Sequence, residues 1–267
     1  MLASMILGAT DRPPHQCLFC RIKEKSSFTC LEYPIPESLG NDGLTLEPGF
    51  VCDSCNQYFG AKVESKVLGA PPFNVERTGQ AIRTKKRKLP RFEGEGFSLV
   101  STGCWDTVFV VAPDDNHDKA RRLLSQNVLS ISPPPGYASV MARFLLKMGM
   151  ELLIVADQVD PYSEAFDLAR RCARFGERMS EWDVAYGLYP ARDRLKLSSR
   201  VDELGRLETR QIYQYEMGIM ASGDVVLCFI FVNHVFACNL SREPLTEYLL
   251  GFNAKNEFSL QSLRRAR

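Results

Sequence analysis

Four cysteines in two close pairs are the residues whose types and spacing most clearly indicate chemistry. Cys17 and Cys20 form one C-x-x-C pair, and Cys52 and Cys55 form a second. Two intervening residues let both sulfurs of a pair face one point, so that two pairs supply four ligands for a tetrahedral zinc ion. The alternative is two redox or incidental pairs, but the βαβ context of a thioredoxin-like motif is absent from the surrounding sequence. We predict a structural Zn²⁺, which has no open coordination position and activates no water.

The composition limits what else the chain can be. It has 267 residues, 45% hydrophobic and 24% charged, with a formal net charge of +1, and this balance excludes disorder over the whole length. Nine cysteines, an odd number, exclude a fully paired disulfide framework within one chain. The sequence has no apolar run of the ~18 residues that a membrane span needs, and its start is a poor signal peptide. We therefore expect a soluble cytoplasmic protein, or a nuclear one in a eukaryote, with no membrane partner.

The elements that must position the cysteines follow a definite order. The 31 residues between Cys20 and Cys52 exceed the ~15–20 of a simple zinc ribbon, so we expect an insertion the size of a β-hairpin. Asp42-Gly43 supplies a turn signal within it. After the second pair, apolar side chains recur every four residues and predict an amphipathic helix; they are Phe59, Val63 and Val67.

This arrangement resembles an HNH endonuclease domain of the zinc-knuckle kind between Cys17 and Phe73. The residues that match the family's motifs are Cys17, Cys20, Glu32, Pro36, Glu37, Ser38, Leu39, Gly40, Asn41, Val51, Cys52, Asp53, Cys55, Asn56, Val63 and Glu64. The resemblance implies a ββα-metal core in which one divalent ion, Mg²⁺ or Mn²⁺, clamps a scissile phosphate of DNA. It also implies phosphodiester hydrolysis, and by analogy alone a role in host defence or on mobile elements.

The resemblance assigns three residues to catalysis, with one departure. Glu32 and Asn56 fall on positions that hold the divalent ion, and Tyr33 stands where the family has its histidine base. Ionising a tyrosine at neutral pH costs roughly 3 pKa units, or about 4 kcal/mol. His15 is the alternative base, since it is the only histidine in the first 100 residues. An atypical active endonuclease and a catalytically silent member that binds nucleic acid or a protein are both open, as is a purely structural subunit.

A run of basic residues follows the resemblance and is the predicted nucleic-acid contact. It consists of Arg83, Lys85, Lys86, Arg87, Lys88 and Arg91. Each side chain can pair with a phosphate and add salt-dependent affinity. The alternatives are a solvated linker and a nuclear address.

The whole chain is predicted to be α+β: a small zinc-stapled ββα-metal (HNH-like) domain, then an antiparallel sheet with two helices on one face. The predicted boundaries are residues 1–76 for the first domain, 77–96 for a basic linker and 97–267 for a domain of unknown function. In that last domain the patterns predict extended chain at 97–111, helices at 118–127, from Tyr137 and after Pro161, and strands at 210–219, 225–232 and 235–240.

The second domain carries few candidates for chemistry. Lys147 and Glu151 form a K-x-x-x-E pattern that proteins resembling this one often carry. Glu151 and Asp157 are either a site or a solvated or salt-bridged face, and His234 is interpreted as a turn histidine with its hydrogen bonds satisfied. The sequence has no phosphate-binding or nucleophile-elbow motif. We expect this domain to position substrate, to form a homodimer or to bind a protein partner.

Overall fold

The structure, a computed structural model, describes most of the chain from residue 15 onward. The described residues are 15–84, 87–94, 96–112, 133–179, 182–189, 199–201, 207–209, 212–241, 245–256 and 258–263, with the single positions 118, 121 and 125. The helix predicted at 118–127 therefore falls outside them apart from those three positions. None of the described helices is both long and apolar enough to cross a membrane.

The N-terminal part is a loop-rich segment that leads into a helix. Glu32 and Leu46 pair through two backbone hydrogen bonds, which join the two arms of the predicted insertion. The predicted helix follows the second cysteine pair, and its three recurring apolar residues are buried in the core. The helical elements of this part are α1 (Asp53–Phe59), a π-helical turn (Gly60–Glu64), α2 (Ser65–Leu68) and α3 (Phe73–Gly79).

A small antiparallel sheet follows, in the order β1-β2-β3. Phe92, Phe97 and Leu99 form its buried face and pack with Val75 of α3. Its strands are β1 (Arg91–Gly94), β2 (Phe97–Ser101) and β3 (Val108–Val111). β1 thus lies within the predicted linker, and the domain boundaries themselves stay predictions.

The helix predicted from Tyr137 is the central element of the rest of the chain. α4 (Tyr137–Ala156) is buried along most of its length, and α5 (Asp167–Phe175) packs beside it. Most apolar side chains of α4 are buried, whereas Val155 near its C-terminal end is 37% exposed. α4 is therefore a core helix, and any charged side chain on its inner faces must find a partner there.

The main sheet has five strands in the order β10-β4-β9-β8-β7, and all neighbours are antiparallel. The predicted strands 210–219, 225–232 and 235–240 appear with shifted ends, and Arg210 and Gln211 lie outside the described residues. The strands are β4 (Ala185–Leu188), β7 (Tyr213–Ile219), β8 (Val225–Phe231), β9 (His234–Asn239) and β10 (Gln261–Ser262), and a separate hairpin is formed by β5 (Ser199–Val201) and β6 (Leu207–Thr209).

A third helix covers the face of this sheet opposite the two predicted helices. All seven residues of β8 are buried, because helices cover both faces. Phe229 and Phe231 belong to the core that includes α4, whereas Cys228 and Ile230 pack with Tyr248 of α6 (Thr246–Lys255). The unbroken apolar run of β8 is typical of a strand buried on both faces. The α+β class itself is confirmed.

One phenylalanine joins the N-terminal part to the main sheet. The ring of Phe73, at the start of α3, lies 6.0 Å from that of Phe144 on α4, 5.3 Å from Phe231 and 5.4 Å from Phe236 (centroid to centroid). All four rings are fully buried. The hydrophobic core is therefore continuous from the cysteine-rich region to the sheet.

Phe73→Ala should destabilise the whole protein rather than the N-terminal part alone. Removing a buried aromatic ring typically costs about 3–5 kcal/mol, and the cavity would open between both parts of the core. Urea unfolding followed by tryptophan fluorescence and far-UV circular dichroism should give one coincident transition at a lower midpoint. Phe109→Ala, at a side chain that is 62% exposed, is the matched control and should shift the stability by less than about 0.5 kcal/mol. Two separated transitions in Phe73→Ala would contradict a shared core.

Candidate metal centre and the buried ion pairs beside it

The four predicted cysteines come together at one point. The sulfurs of Cys17, Cys20, Cys52 and Cys55 all lie within 4.8 Å of one another. A tetrahedral site with zinc–sulfur bonds of ~2.3 Å places its sulfurs about 3.8 Å apart, and the Sγ atoms of Cys20 and Cys52 are separated by 3.5 Å. The geometry and the donor type therefore fit a zinc ion, which would tie the N-terminal loop to the start of α1 and perform no chemistry on substrate.

The local fold explains why the cysteines converge. Cys52 is the N-cap of α1 and Cys55 lies in its first turn, so both sulfurs leave the same helix end. The Cys52 backbone N–H donates to the Cys17 sulfur at 3.4 Å, which brings the first pair against that helix end. A hydrogen bond from the Cys55 thiol lowers the pKa of Cys17 to about 5. Burial raises the pKa of Cys20 to about 11, and the hydrogen bond to Cys17 together with burial raises the pKa of Cys55. The cluster thus favours a thiolate at Cys17, and metal binding would release the protons of the other ligands.

The second half of the chain supports the cluster from outside. The Arg174 guanidinium on α5 donates to the Cys55 sulfur at 3.3 Å and stacks over the Tyr58 ring at 3.9 Å. Arg143 on α4 donates to the Tyr58 hydroxyl at 2.6 Å and to the Ala173 carbonyl at 3.0 Å. Two arginines from α4 and α5 therefore hold α1 and the cysteine cluster against the rest of the protein.

A buried ion-pair network lies next to this region. The Lys147 ammonium on α4 is 2.6 Å from Glu32 Oε1, 3.1 Å from Glu64 Oε1 and 2.9 Å from Glu151 Oε2. It also donates to the Tyr33 carbonyl at 3.0 Å. The side chains of Lys147 and Glu151 are fully buried, and that of Glu64 is the most exposed at 20%. One cation thus serves three carboxylates, two of which come from the N-terminal part.

The network contains one ammonium and three carboxylates, and this imbalance shifts the pKa values of Lys147 and Glu151. Burial alone would lower the pKa of Lys147, but Glu151, Glu32 and Glu64 raise it well above its ordinary value. Burial raises the pKa of Glu151 well above its ordinary value, and Glu32 and Glu64 reinforce this against the opposing effect of Lys147. Lys147 therefore stays charged and Glu151 tends to hold a proton, which reduces the excess of negative charge in the core.

The predicted catalytic residues lie near one another, and Glu32 contacts Lys147. Asn56 on α1 donates from Nδ2 to the Leu31 carbonyl at 3.3 Å, beside Glu32. Tyr33 is half-buried. Glu32 Oε1 is bound by the Lys147 ammonium, whereas Glu32 Oε2 is buried without a hydrogen-bond partner, so a divalent ion at Glu32 would have the lysine as its direct neighbour. The catalytic roles of Glu32, Tyr33 and Asn56 stay predictions. His15, the alternative base, lies beside the Phe28 ring at 5.8 Å, and its Nδ1 is buried without a hydrogen-bond partner.

The basic run is only partly described. Lys85 and Lys86 lie outside the described residues, while the other four side chains are exposed; they are Arg83, Arg87, Lys88 and Arg91. Arg83 donates to the Arg87 carbonyl at 2.9 Å, and Arg91 Nε pairs with Glu93 Oε1 at 2.5 Å. Arg83, Arg87 and Lys88 thus present charge to solvent, and the charge of Arg91 is largely matched by Glu93.

His234 has partners at both ring nitrogens, as the sequence interpretation expects of it. Nδ1 lies 2.8 Å from the Tyr186 hydroxyl and Nε2 lies 3.1 Å from Glu76 Oε1. The sequence does not predict the hydrogen bond between His234 and Glu76 of α3.

The sequence does not predict the contacts of Lys147 with the N-terminal part either, but it contains a signal for them. Lys147 is surrounded on α4 by the apolar residues Leu145, Leu146 and Met148, and a charge within an apolar stretch requires a buried partner.

Comparisons with known proteins agree with the N-terminal geometry. The family model described as HNH endonuclease matches residues 17–69. This stretch is about a fifth of the 267 residues, and it includes all four cysteines, Glu32, Asn56 and Glu64. No curated protein and no solved structure matches the chain. The nuclease-type assignment therefore rests on residues 17–69, and Lys147 and Glu151 lie outside the match.

We expect purified protein to contain one zinc ion per chain and Cys52→Ser to lose it. Cys52 is buried and supplies one of the four sulfurs, so its replacement removes a ligand, whereas serine still suits the N-cap of α1. Elemental analysis after dialysis against a weak chelator measures the metal content. Cys30→Ser, at an exposed cysteine outside the cluster, should keep the zinc. Folded wild-type protein with well under one zinc per chain would refute the assignment.

The raised pKa of Glu151 predicts that Glu151→Gln stabilises the protein against unfolding, and that this stabilisation depends on pH. In the unfolded chain a glutamate loses its proton near pH ~4.3, whereas folded Glu151 keeps its proton to higher pH beside Lys147, Glu32 and Glu64. Above pH ~4.3 the wild type therefore loses up to about 1.4 kcal/mol of stability per pH unit relative to the variant, until the pH passes the pKa of folded Glu151.

Thermal or urea unfolding of both proteins at pH 5 and pH 8 measures this difference. The stability of Glu151→Gln relative to wild type should rise from pH 5 to pH 8. Glu247→Gln, at an exposed position on α6, supplies the baseline. A difference that stays constant or shrinks as the pH rises would show that Glu151 is ionised in the folded protein.

Proposed function

We propose that this chain is a nucleic-acid-binding protein in which an HNH-type region is retained for binding while its catalytic ion is replaced by a lysine. The observation that carries the proposal is the 2.6 Å contact between the Lys147 ammonium and Glu32. Lys147 places a positive charge against the carboxylate that the resemblance assigns to the divalent ion. The partner would be DNA, bound through phosphates rather than cleaved.

A divalent ion at Glu32 Oε1 would have to displace the buried Lys147 ammonium from that oxygen, which would leave Glu64 and Glu151 as the partners of the ammonium. The ion would also bring two positive charges next to the ammonium, and like charges at short range inside a protein repel strongly. The lysine is also covalently part of α4 and is present at every metal concentration. The internal cation is therefore a strong competitor for the site.

The residue beside Glu32 supports the same conclusion. Tyr33 stands at the base position, where the resemblance expects a histidine, the side chain best suited to accept a proton near neutral pH. The cation beside it is Lys147, which donates to the Tyr33 backbone carbonyl. The general base and the metal ion are thus disfavoured together.

Nucleic-acid binding is supported by charge on the surface next to the HNH-type region. Arg83, Arg87 and Lys88 are exposed just after α3. Exposed arginines and lysines bind backbone phosphates with an affinity that falls as salt rises, and they need no particular base sequence. Such binding requires neither Tyr33 nor a divalent ion.

An active Mg²⁺- or Mn²⁺-dependent endonuclease is the second candidate, and one observation favours it. Glu32 Oε2 is buried and has no hydrogen-bond partner, so one oxygen of this carboxylate remains able to accept a ligand. Asn56 lies against the neighbouring Leu31 carbonyl. In that case Glu32 and Asn56 would hold the ion, which would polarise the phosphate, and the base would be Tyr33 or another group.

Plasmid nicking and duplex binding, measured on the same preparations, separate the two candidates. We expect no nicking by the wild type with Mg²⁺ or Mn²⁺, and none by Tyr33→His, because Lys147 still occupies Glu32. We expect salt-dependent binding of a fluorescent DNA duplex that weakens when Arg87 and Lys88 are both changed to Gln. Arg171→Gln, at an exposed arginine on α5, is the control for binding.

Two results would overturn the proposal in different ways. Nicking by wild type that disappears in Asn56→Ala would establish the endonuclease. Absence of duplex and single-strand binding at 50 mM salt would reject a nucleic-acid role and leave a protein partner.

A further inference from the structure

A cleft of about 720 Å³ lies where the HNH-type region meets the small sheet. Its walls come from the end of α2, from α3, from the basic segment and from β1. The polar residues that line it are Asn74, Arg77, Thr84, Lys88, Arg91 and Glu93. Apart from Lys88 and Arg91 they belong to neither the family motifs nor the predicted nucleic-acid contact.

Arg77 is the unusual member of this lining. Within the part of the chain that the structure describes, no carboxylate pairs with its guanidinium. Nη1 donates one long hydrogen bond, 3.5 Å, to the Leu68 carbonyl, and Nε is buried with no hydrogen-bond partner. Burial lowers the pKa of Arg77 from its ordinary value, and no anion counteracts this effect. Because arginine does not lose its charge in proteins, a desolvated guanidinium of this kind is poised for an anion.

The neighbouring side chains favour an anion rather than another ligand. Lys88 is exposed at the rim of the cleft. The Thr84 hydroxyl accepts from the Lys88 backbone N–H at 3.2 Å, which leaves its own hydrogen free to donate into the cleft. Glu93 is already engaged, by Arg91 Nε through Oε1 and by the Ser98 hydroxyl through Oε2. Among the residues that the structure describes, no carboxylate therefore matches the two cations Arg77 and Lys88.

Asn74 Oδ1, the remaining polar atom of the lining, indicates which group the ligand carries beside its anion. Asn74 Nδ2 donates to the Gly69 carbonyl at 2.8 Å, and Asn74 Oδ1 is buried without a donor. An acceptor beside two cations suits a ligand that carries both a phosphate and a hydroxyl or N–H group. Nucleotides and RNA carry a sugar hydroxyl near the phosphate, and DNA, whose backbone has no hydroxyl, carries N–H donors on its bases.

We infer that this cleft binds a phosphate group, with the Arg77 guanidinium as its main contact and Lys88 and Thr84 beside it. This inference rests on the proposed function for the source of the phosphate, which would be the backbone of bound DNA. A free phosphate compound offers the same chemistry. The fork of an arginine fits two phosphate oxygens at once, which lysine cannot reproduce.

The test uses the full chain and two probes: a fluorescent 20-base-pair duplex, followed by anisotropy, and inorganic pyrophosphate, followed by calorimetry. Arg77→Gln should weaken duplex binding by about tenfold at low salt and reduce the slope of log affinity against log salt by about 0.9, the value of one lost phosphate contact. Arg77→Lys should restore the slope but only part of the affinity. Arg171→Gln is the matched control, because its arginine is exposed and pairs with Glu177.

If Arg77→Gln does not fold, Lys88→Gln is the second test variant. Lys88 is exposed, so its replacement leaves the core intact. It should weaken binding of both probes less than Arg77→Gln does. Unchanged duplex affinity and salt slope in Arg77→Gln, with wild type binding DNA, would overturn the inference and leave the proposed function standing. Failure of wild type to bind DNA, with pyrophosphate binding that Arg77→Gln abolishes, would support the phosphate site and reject the proposed function.

Discussion

The Lys147 ammonium is the single charge around which the two halves of this protein are arranged. It reaches from the central helix to Glu32 and Glu64 in the N-terminal part and to Glu151 one turn further along its own helix. A buried ion pair contributes little net stability over an apolar contact, but breaking it is costly. We therefore interpret the network as a device that fixes where α4 docks, because any other register would leave one or more charges buried without a partner.

The cysteine cluster and the ion-pair network depend on each other through the same helices. Glu64 is carried by the helical run that follows Cys52, so a metal ion at the cysteines would also set the position of a Lys147 partner. Arg174 on α5 contacts the cluster from the other side at Cys55. A small segment held by one metal site would have too little apolar core to be stable alone, and α4 and α5 supply packing and countercharge to it.

Local patterns predict the parts of this structure that depend on neighbouring residues. The C-x-x-C pairs, the four-residue spacing of Phe59, Val63 and Val67, and the apolar run of β8 each determine their own element. The meeting of Lys147 with Glu32 joins residues 115 positions apart, and no local spacing encodes such a contact. The apolar run of β8 likewise indicates burial on both faces of the sheet, but it does not indicate that α6, rather than one of the earlier helices, provides the second cover.

In the proposed function, a lysine in place of a divalent ion would separate two tasks that a metal nuclease combines. A bound Mg²⁺ or Mn²⁺ both neutralises the carboxylates of its site and attracts the phosphate of the substrate. Lys147 would perform the first task from inside the core, where its side chain is almost fully buried and therefore cannot reach a DNA backbone. Phosphate recognition would then come from other cations. Arg77 and Lys88 in the adjacent cleft, together with the exposed arginines that follow α3, are placed to supply it. The resulting protein would hold DNA without the ion that makes the phosphodiester bond reactive.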